Sequence, residues 1–187
     1  MSGDTHPILV ARALRASLEA GFVDTTRTET GRLLATLAAG VDGPIGDCGT
    51  GCGVGAAWMR SSAPQGVAVF TVESDKELAE RAADTFHGHD VTVLHGDWTE
   101  LRSHGPFALI TTDHALARQD TDGEMIDLLA PGAIAVIDDL QPRSWSSYDP
   151  VRHVWLDDPR VVAVELPICP DASVIVATRA RSEVSDS

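Results

Sequence analysis

Lysine is almost absent from this sequence: Lys76 is the only one in 187 residues. Lysine and arginine together number 14 against 28 acidic residues, a formal charge of −14. A protein that grips a phosphate backbone needs clustered cations to displace counterions. No such cluster is found, so nucleic acid is disfavoured as a partner and the acidity reads as a solubility feature. Long apolar runs are missing too. None approaches the roughly 20 residues that cross a bilayer, so no membrane partner is expected. The first residues, MSGDTHPILVARALRASLEAG, have neither the basic start nor the apolar core of a secretory signal. The expected location is therefore cytoplasmic. Cysteine is scarce and odd in number, with Cys48, Cys52 and Cys169. That excludes a disulfide framework as the organising device, and no His or Cys cluster has zinc-site spacing.

What is present is a chain with 43% hydrophobic residues, enough for a packed core within one domain. Residues 1–180 read as that domain, with two amphipathic helices, Pro7–Ala20 and Glu29–Gly40, at its start. Residues 181–187, rich in serine and acid, read as a disordered tail. Between them strands and helices alternate. The expected strands are Ile45–Cys48, Val67–Glu73, Val91–His95, Phe107–Thr112 and Ala133–Asp138. The expected helices are Val54–Ser61, Asp75–Phe86 and Asp120–Leu129, the last stopped by Pro131-Gly132. Such alternation implies a parallel sheet covered on both faces. Two final strands, Val161–Leu166 and Ser173–Thr178, are joined too tightly for a parallel crossover and must pair antiparallel. The fold class is α/β: a Rossmann-like, seven-stranded, mostly parallel sheet with an antiparallel C-terminal strand. The segment 141–159 holds two of the four tryptophans, Trp145 and Trp155, and the single tyrosine. It reads either as a substrate lid beside the strand ends or as a connection anchored by packed rings.

The chemistry concentrates in one stretch, Gly46-Asp47-Cys48-Gly49-Thr50-Gly51-Cys52-Gly53-Val54-Gly55. A strand enters this loop and a helix leaves it. Glycines lack a Cβ, so a ligand can approach the backbone closely, and the N–H groups of a helix start favour a negatively charged group. Glu73 stands twenty residues beyond Gly53, at the end of the next strand. A carboxylate there can accept hydrogen bonds from a ribose diol. Two ligand classes share this geometry. A dinucleotide site reads Gly51-x-Gly53-x-x-Ala56, and a methyl-donor site reads Asp47-x-Gly49-x-Gly51-x-Gly53. The placement of Asp47, the chain length and the closing strand pair favour the second.

On these residues the chain resembles the class I S-adenosylmethionine (SAM)-dependent methyltransferases over roughly Leu33 to Thr178. More narrowly it resembles the small O-methyltransferases of the catechol and caffeoyl-CoA type. The resemblance implies that Asp47, Gly49, Thr50, Gly51 and Gly53 hold the methionine part of SAM and that Glu73 binds the ribose. It places Asp97 against the adenine amine and Trp98 over the ring, with capping of the next short helix and ordinary core packing as the competing readings. It further implies a divalent cation such as Mg²⁺, held by Asp113, Asp138 and Asp139 and serving to position and acidify a substrate hydroxyl. The competing reading is that these carboxylates line the cofactor site or cap neighbouring elements without a metal.

The chain departs from the narrower family at one position. The lysine that serves those enzymes as general base is replaced by Leu116, and Lys76 lies elsewhere. Arg118 stays protonated and is a poor base. With Asp113, His114 becomes the catalytic candidate, and His153, in the segment 141–159, is another. The expected activity is O-methylation of a small-molecule acceptor. A NAD(P)-dependent oxidoreductase using the same loop and a SAM-binding protein without catalysis remain open. The N-terminal helices serve equally well as a cover for the site or as a homodimer interface.

Overall fold

The computed structural model describes residues 6–142 and 148–181. The expected tail beyond Arg181, and Trp145, lie outside them. Helix α1 (Ile8–Ala20) starts after Pro7 and stops at Gly21, whose φ of +66° closes the helix in the left-handed conformation. Helix α2 (Thr28–Ala38) follows. Strand β1 (Ile45–Cys48) then feeds the glycine loop and helix α3 (Val54–Ser62). Strand β2 (Val69–Glu73) leads to helix α4 (Lys76–Thr85), whose first turn is capped by the Asp75 carboxylate, accepting from the N–H groups of Glu77 and Leu78 at 2.8 and 3.1 Å. Strand β3 (Val91–His95), a 3₁₀ turn (Trp98–Ser103), strand β4 (Phe107–Asp113) and the one-turn helix α5 (His114–Ala117) come next. The chain closes with strand β5 (Leu129–Leu140), helix α6 (Pro150–Asp157) and strands β6 (Val161–Cys169) and β7 (Ala172–Arg179).

The strands form one sheet in the order β3-β2-β1-β4-β5-β7-β6. Pairing is parallel from β3 through β5, and β7 inserts antiparallel between β5 and β6. Because side chains alternate along a strand, neighbours such as Leu109 and Ile110, or Val136 and Ile137, enter different cores. The core containing Leu109 and Val136 is closed by α1, α2, α3 and α4. The core containing Ile110 and Ile137 is closed by α5, α6 and short 3₁₀ segments.

One expected element is corrected. Residues 120–129 do not form an α-helix: a 3₁₀ turn covers Glu124–Leu128, and Leu129 already belongs to β5. The Asp120 carboxylate accepts from the N–H groups of Glu124 and Met125, and Gly123 takes a φ of +71°, so helical dihedrals cannot run through. Pro131, expected to stop a helix, lies within β5 where the pairing to β4 shifts register, a place where a missing N–H is tolerated. Trp155 is fully buried in the core beneath α6, the packing role that competed with a lid. Among the described residues no helix is long and apolar enough to cross a membrane.

Candidate active site

The parallel strands all present their carboxyl ends to one edge of the sheet, where α/β folds bind ligands. At that edge β1 passes into the glycine loop. The N–H groups of Gly49 and Thr50 both donate to the Val72 carbonyl at 3.0 Å, stitching the loop to β2. The Gly51 N–H donates to Glu73 Oε2 at 2.8 Å, and the Asp75 N–H to Glu73 Oε1 at 2.9 Å. Glu73 thus clamps the loop and the start of α4 together. A carboxylate offers about four acceptor positions, so capacity remains for a ligand hydroxyl. Gly51 has a φ of +53°, and a Cβ there would stand 2.6 Å from the Phe22 ring. Only glycine fits between the loop and the segment that follows α1.

Asp47 lies at the base of this loop, 5% exposed. Its Oδ2 accepts from Thr71 Oγ1 at 2.6 Å, and Thr71 in turn meets the Thr50 hydroxyl. Burial pushes the Asp47 carboxyl up to about 7; the Thr71 hydrogen bond opposes this, and nearby Glu73 and Asp113 reinforce it. Burial likewise raises the Cys48 thiol well above its ordinary value, which makes it unreactive.

Two cavities flank Gly49. One, about 330 Å³, runs from Phe22 over Gly49, Thr50 and Gly51 to Glu73. The other, about 440 Å³, is walled by Asp47, Asp113, Asp138, Asp139 and Arg27. Gly49, Asp113 and the segment Asp24–Thr26 border both. The arrangement can hold an elongated ligand on one side of Asp113 and a second molecule on the other.

The three carboxylates expected to hold a divalent cation do line one cavity, but each has a protein partner. Asp113 Oδ1 accepts from the Leu116 N–H at 2.6 Å. Thr30 Oγ1 donates to Asp138 Oδ1 at 2.9 Å. Asp139 Oδ1 lies 3.4 Å from Arg27 Nη2. Burial raises the Asp138 carboxyl, against the pull of Thr30 and Arg27. Among the described residues no group of three His, Cys, Asp or Glu side chains is arranged to hold a metal ion. The Arg27 guanidinium beside Asp139 sets a fixed positive charge at one end of this set, and it repels a second cation. As they stand, engaged by Leu116, Thr30 and Arg27, the carboxylates of Asp113, Asp138 and Asp139 do not fit Mg²⁺.

His114, the catalytic candidate, begins α5. Its Nε2 lies 3.2 Å from Asp149 Oδ2, and His114 lines neither cavity. Asp149 stays below the usual carboxylate range: burial alone would raise it, but the contacts with His114, the Val151 N–H and Arg152 outweigh that. His153 pairs with Asp157 on the surface. Lys76 forms an exposed pair with Glu80. Leu116 borders the smaller cavity. Asp97 caps the 3₁₀ turn, accepting from the Thr99 N–H at 2.8 Å, one residue past Gly96, whose N–H donates to the Glu73 carbonyl. Trp98 is 7% exposed, packed into the core with the Arg102 guanidinium 5.2 Å from its ring. Neither Asp97 nor Trp98 lines either cavity.

Sequence reasoning missed Phe22, Arg27, Thr30 and Thr71. Thr71 carried a signal, a polar side chain in the middle of an apolar strand, as did Thr30, which is fully buried on α2. Phe22 and Arg27 carried none, because their importance arises only when the segment after α1 folds back over the loop.

No family model matches the chain, and no curated protein matches it in sequence. Solved structures do. An O-methyltransferase from Bacillus cereus in complex with S-adenosylhomocysteine (SAH) is 18% identical, with a TM-score of 0.76 over 95% of this chain and 93% of that one. The O-methyltransferase TomG from Streptomyces achromogenes, involved in tomaymycin synthesis and solved with SAM, is 18% identical, with a TM-score of 0.72 over 94% and 91%. A methyltransferase from Geobacter sulfurreducens is 17% identical, with a TM-score of 0.75 over 96% and 91%. This likeness, over nearly the whole of each chain, establishes the fold: a Rossmann-like methyltransferase sheet whose strand ends open onto the two cavities.

Proposed function

We propose that this protein is a SAM-dependent methyltransferase acting on an oxygen of a small molecule. The observation that carries the reading is the clamp between the glycine loop and Glu73, opening on a cavity that continues past Asp113 into a second one. The loop is a cradle that a Cβ would fill, and it fits the close backbone approach of a nucleoside bearing an amino-acid arm. In this reading Glu73 accepts hydrogen bonds from the ribose and Asp97 lies beyond it toward the base. Asp47, Gly49, Thr50, Gly51 and Gly53 surround the amino-acid arm. The solved relatives that carry SAM or SAH share this fold, which supports the choice over a dinucleotide.

SAM brings an activated methyl group on a positively charged sulfur, so the protein's work is alignment. Asp113 and Asp24 are the carboxylates that border both cavities, where donor and acceptor would meet. The segment Asp24–Thr26 borders the same junction. The larger cavity, about 440 Å³ and lined by carboxylates, supports a small acceptor over RNA, as does the scarcity of cations. Incubation with methyl-labelled SAM tests this reading. Label is expected in the organic-extractable small-molecule fraction of a cell extract. Label confined to RNA would overturn the choice of acceptor.

A further inference from the structure

The larger cavity is lined by the carboxylates of Asp24, Asp47, Asp113, Asp138 and Asp139. Like charges so gathered are relieved by proton uptake or by a counter-charge. We propose that Arg27 is the built-in cation of this cavity, taking the place that a divalent ion would otherwise fill, so that the site operates without a metal. The inference rests on the methyltransferase reading for its place in catalysis.

Arg27 is the residue just before α2, and three elements converge on it. Its Nη2 lies 3.4 Å from Asp139 Oδ1, at the end of β5, and 3.4 Å from Asp171 Oδ2, in the turn between β6 and β7. The backbone is shaped for the first contact. Asp139 has a φ of +57°, the one positive φ outside glycine among the described residues. It falls where the β5–β7 pairing shifts register between Ile137 and Leu140. Such an irregularity re-aims a side chain, and here the re-aimed carboxylate meets Arg27.

At two other carboxylates of this cavity one oxygen is already engaged by the protein. Thr30, three residues into the same helix start, holds Asp138 Oδ1, and the α5 backbone holds Asp113 Oδ1. A divalent ion takes several oxygens at about 2.0–2.6 Å and would have to displace a guanidinium that is always charged. Arg27 is therefore a positioning residue: it fixes Asp139 and the β6–β7 turn against α2 and sets the charge that the acceptor meets.

Mn²⁺ binding followed by electron paramagnetic resonance tests this without SAM or acceptor. Wild type and the D138N/D139N double variant are expected to bind Mn²⁺ equally, any shared uptake being the acidic surface. R27Q is expected to gain a site with affinity about tenfold or more above that background, the scale of one removed charge a few ångströms away. That site should be lost in R27Q/D138N/D139N and absent in R27K, which keeps the charge. Unchanged melting temperatures establish that the variants fold; should R27Q melt early, the wild-type comparison with D138N/D139N still decides. Wild-type binding that D138N/D139N removes would overturn the proposal, as would folded R27Q without a new site. SAM binding in the same samples distinguishes this from failure of the methyltransferase reading.

Discussion

The Gly51 N–H donates to Glu73 Oε2 at 2.8 Å. The acid at the end of β2 is thus mechanically part of the glycine loop as well as its neighbour. E73A removes a hydrogen bond to a charged acceptor, worth about 1.5–3 kcal/mol, and the proposed ribose partner with it. SAM affinity measured by calorimetry is expected to fall about ten- to a hundredfold. Unchanged affinity would remove Glu73 from the cofactor site.

Gly51 is pinned between this bond and the Phe22 ring. G51A forces a Cβ into a left-handed backbone at a cost of about 1–2 kcal/mol and adds the clash with Phe22, 2.6 Å away. Urea denaturation is expected to show a loss of at least that size together with weakened SAM binding. In G51A/F22A the clash is relieved while the backbone cost persists, so recovery should be partial. Full recovery would mean that the left-handed conformation is not required.

Asp47 predicts a pH dependence. Its ordinary value is 3.8 and burial raises it to about 7 in the fold. Between those values the folded chain holds a proton that the unfolded chain has lost. This group's contribution to stability therefore falls as pH rises through that window, and becomes flat above about 7. D47N removes the titration. Its melting temperature relative to wild type is expected to rise between about pH 5 and about pH 8. A constant difference across that range would contradict the raised value.

Arg152 ties α6 to the end of the sheet. It donates to Glu165 through Nε at 3.0 Å and Nη2 at 2.7 Å, to Asp149 at 2.5 Å and to the Gln141 carbonyl at 2.6 Å. R152A leaves two largely buried carboxylates without their cation, and a loss of about 3 kcal/mol is expected in chemical denaturation. R152K should recover only part, since lysine lacks the planar fork. A loss under about 0.5 kcal/mol, the scale of an ordinary surface substitution, would contradict the assigned role.

The sheet was legible in the sequence because its strands are short apolar runs ended by glycine or acid. Their carboxyl ends therefore located Asp47, Glu73, Asp113 and Asp138 at one edge. The region 114–128 was not legible: helical spacing of Met125, Ile126 and Leu129 hid the interruption at Gly123, which depends on the Asp120 side chain capping its own backbone. The metal was expected from carboxylates placed by local pattern. Arg27 is 112 residues from Asp139 in sequence, and no local pattern announces that the two side chains meet. His114 stands out in the sequence as a histidine beside Asp113, whereas its partner Asp149 comes from the start of α6, an element with no motif of its own.

The central claim is that the clamp of glycine loop and Glu73 holds SAM. Isothermal titration of the wild-type chain with SAM, and separately with NADH, tests it most directly. The account predicts saturable, stoichiometric binding of SAM, weakened by E73A, and no saturable binding of NADH. Absence of SAM binding at millimolar ligand, about the weakest affinity this titration can still resolve, or saturation by NADH in its place, would contradict it.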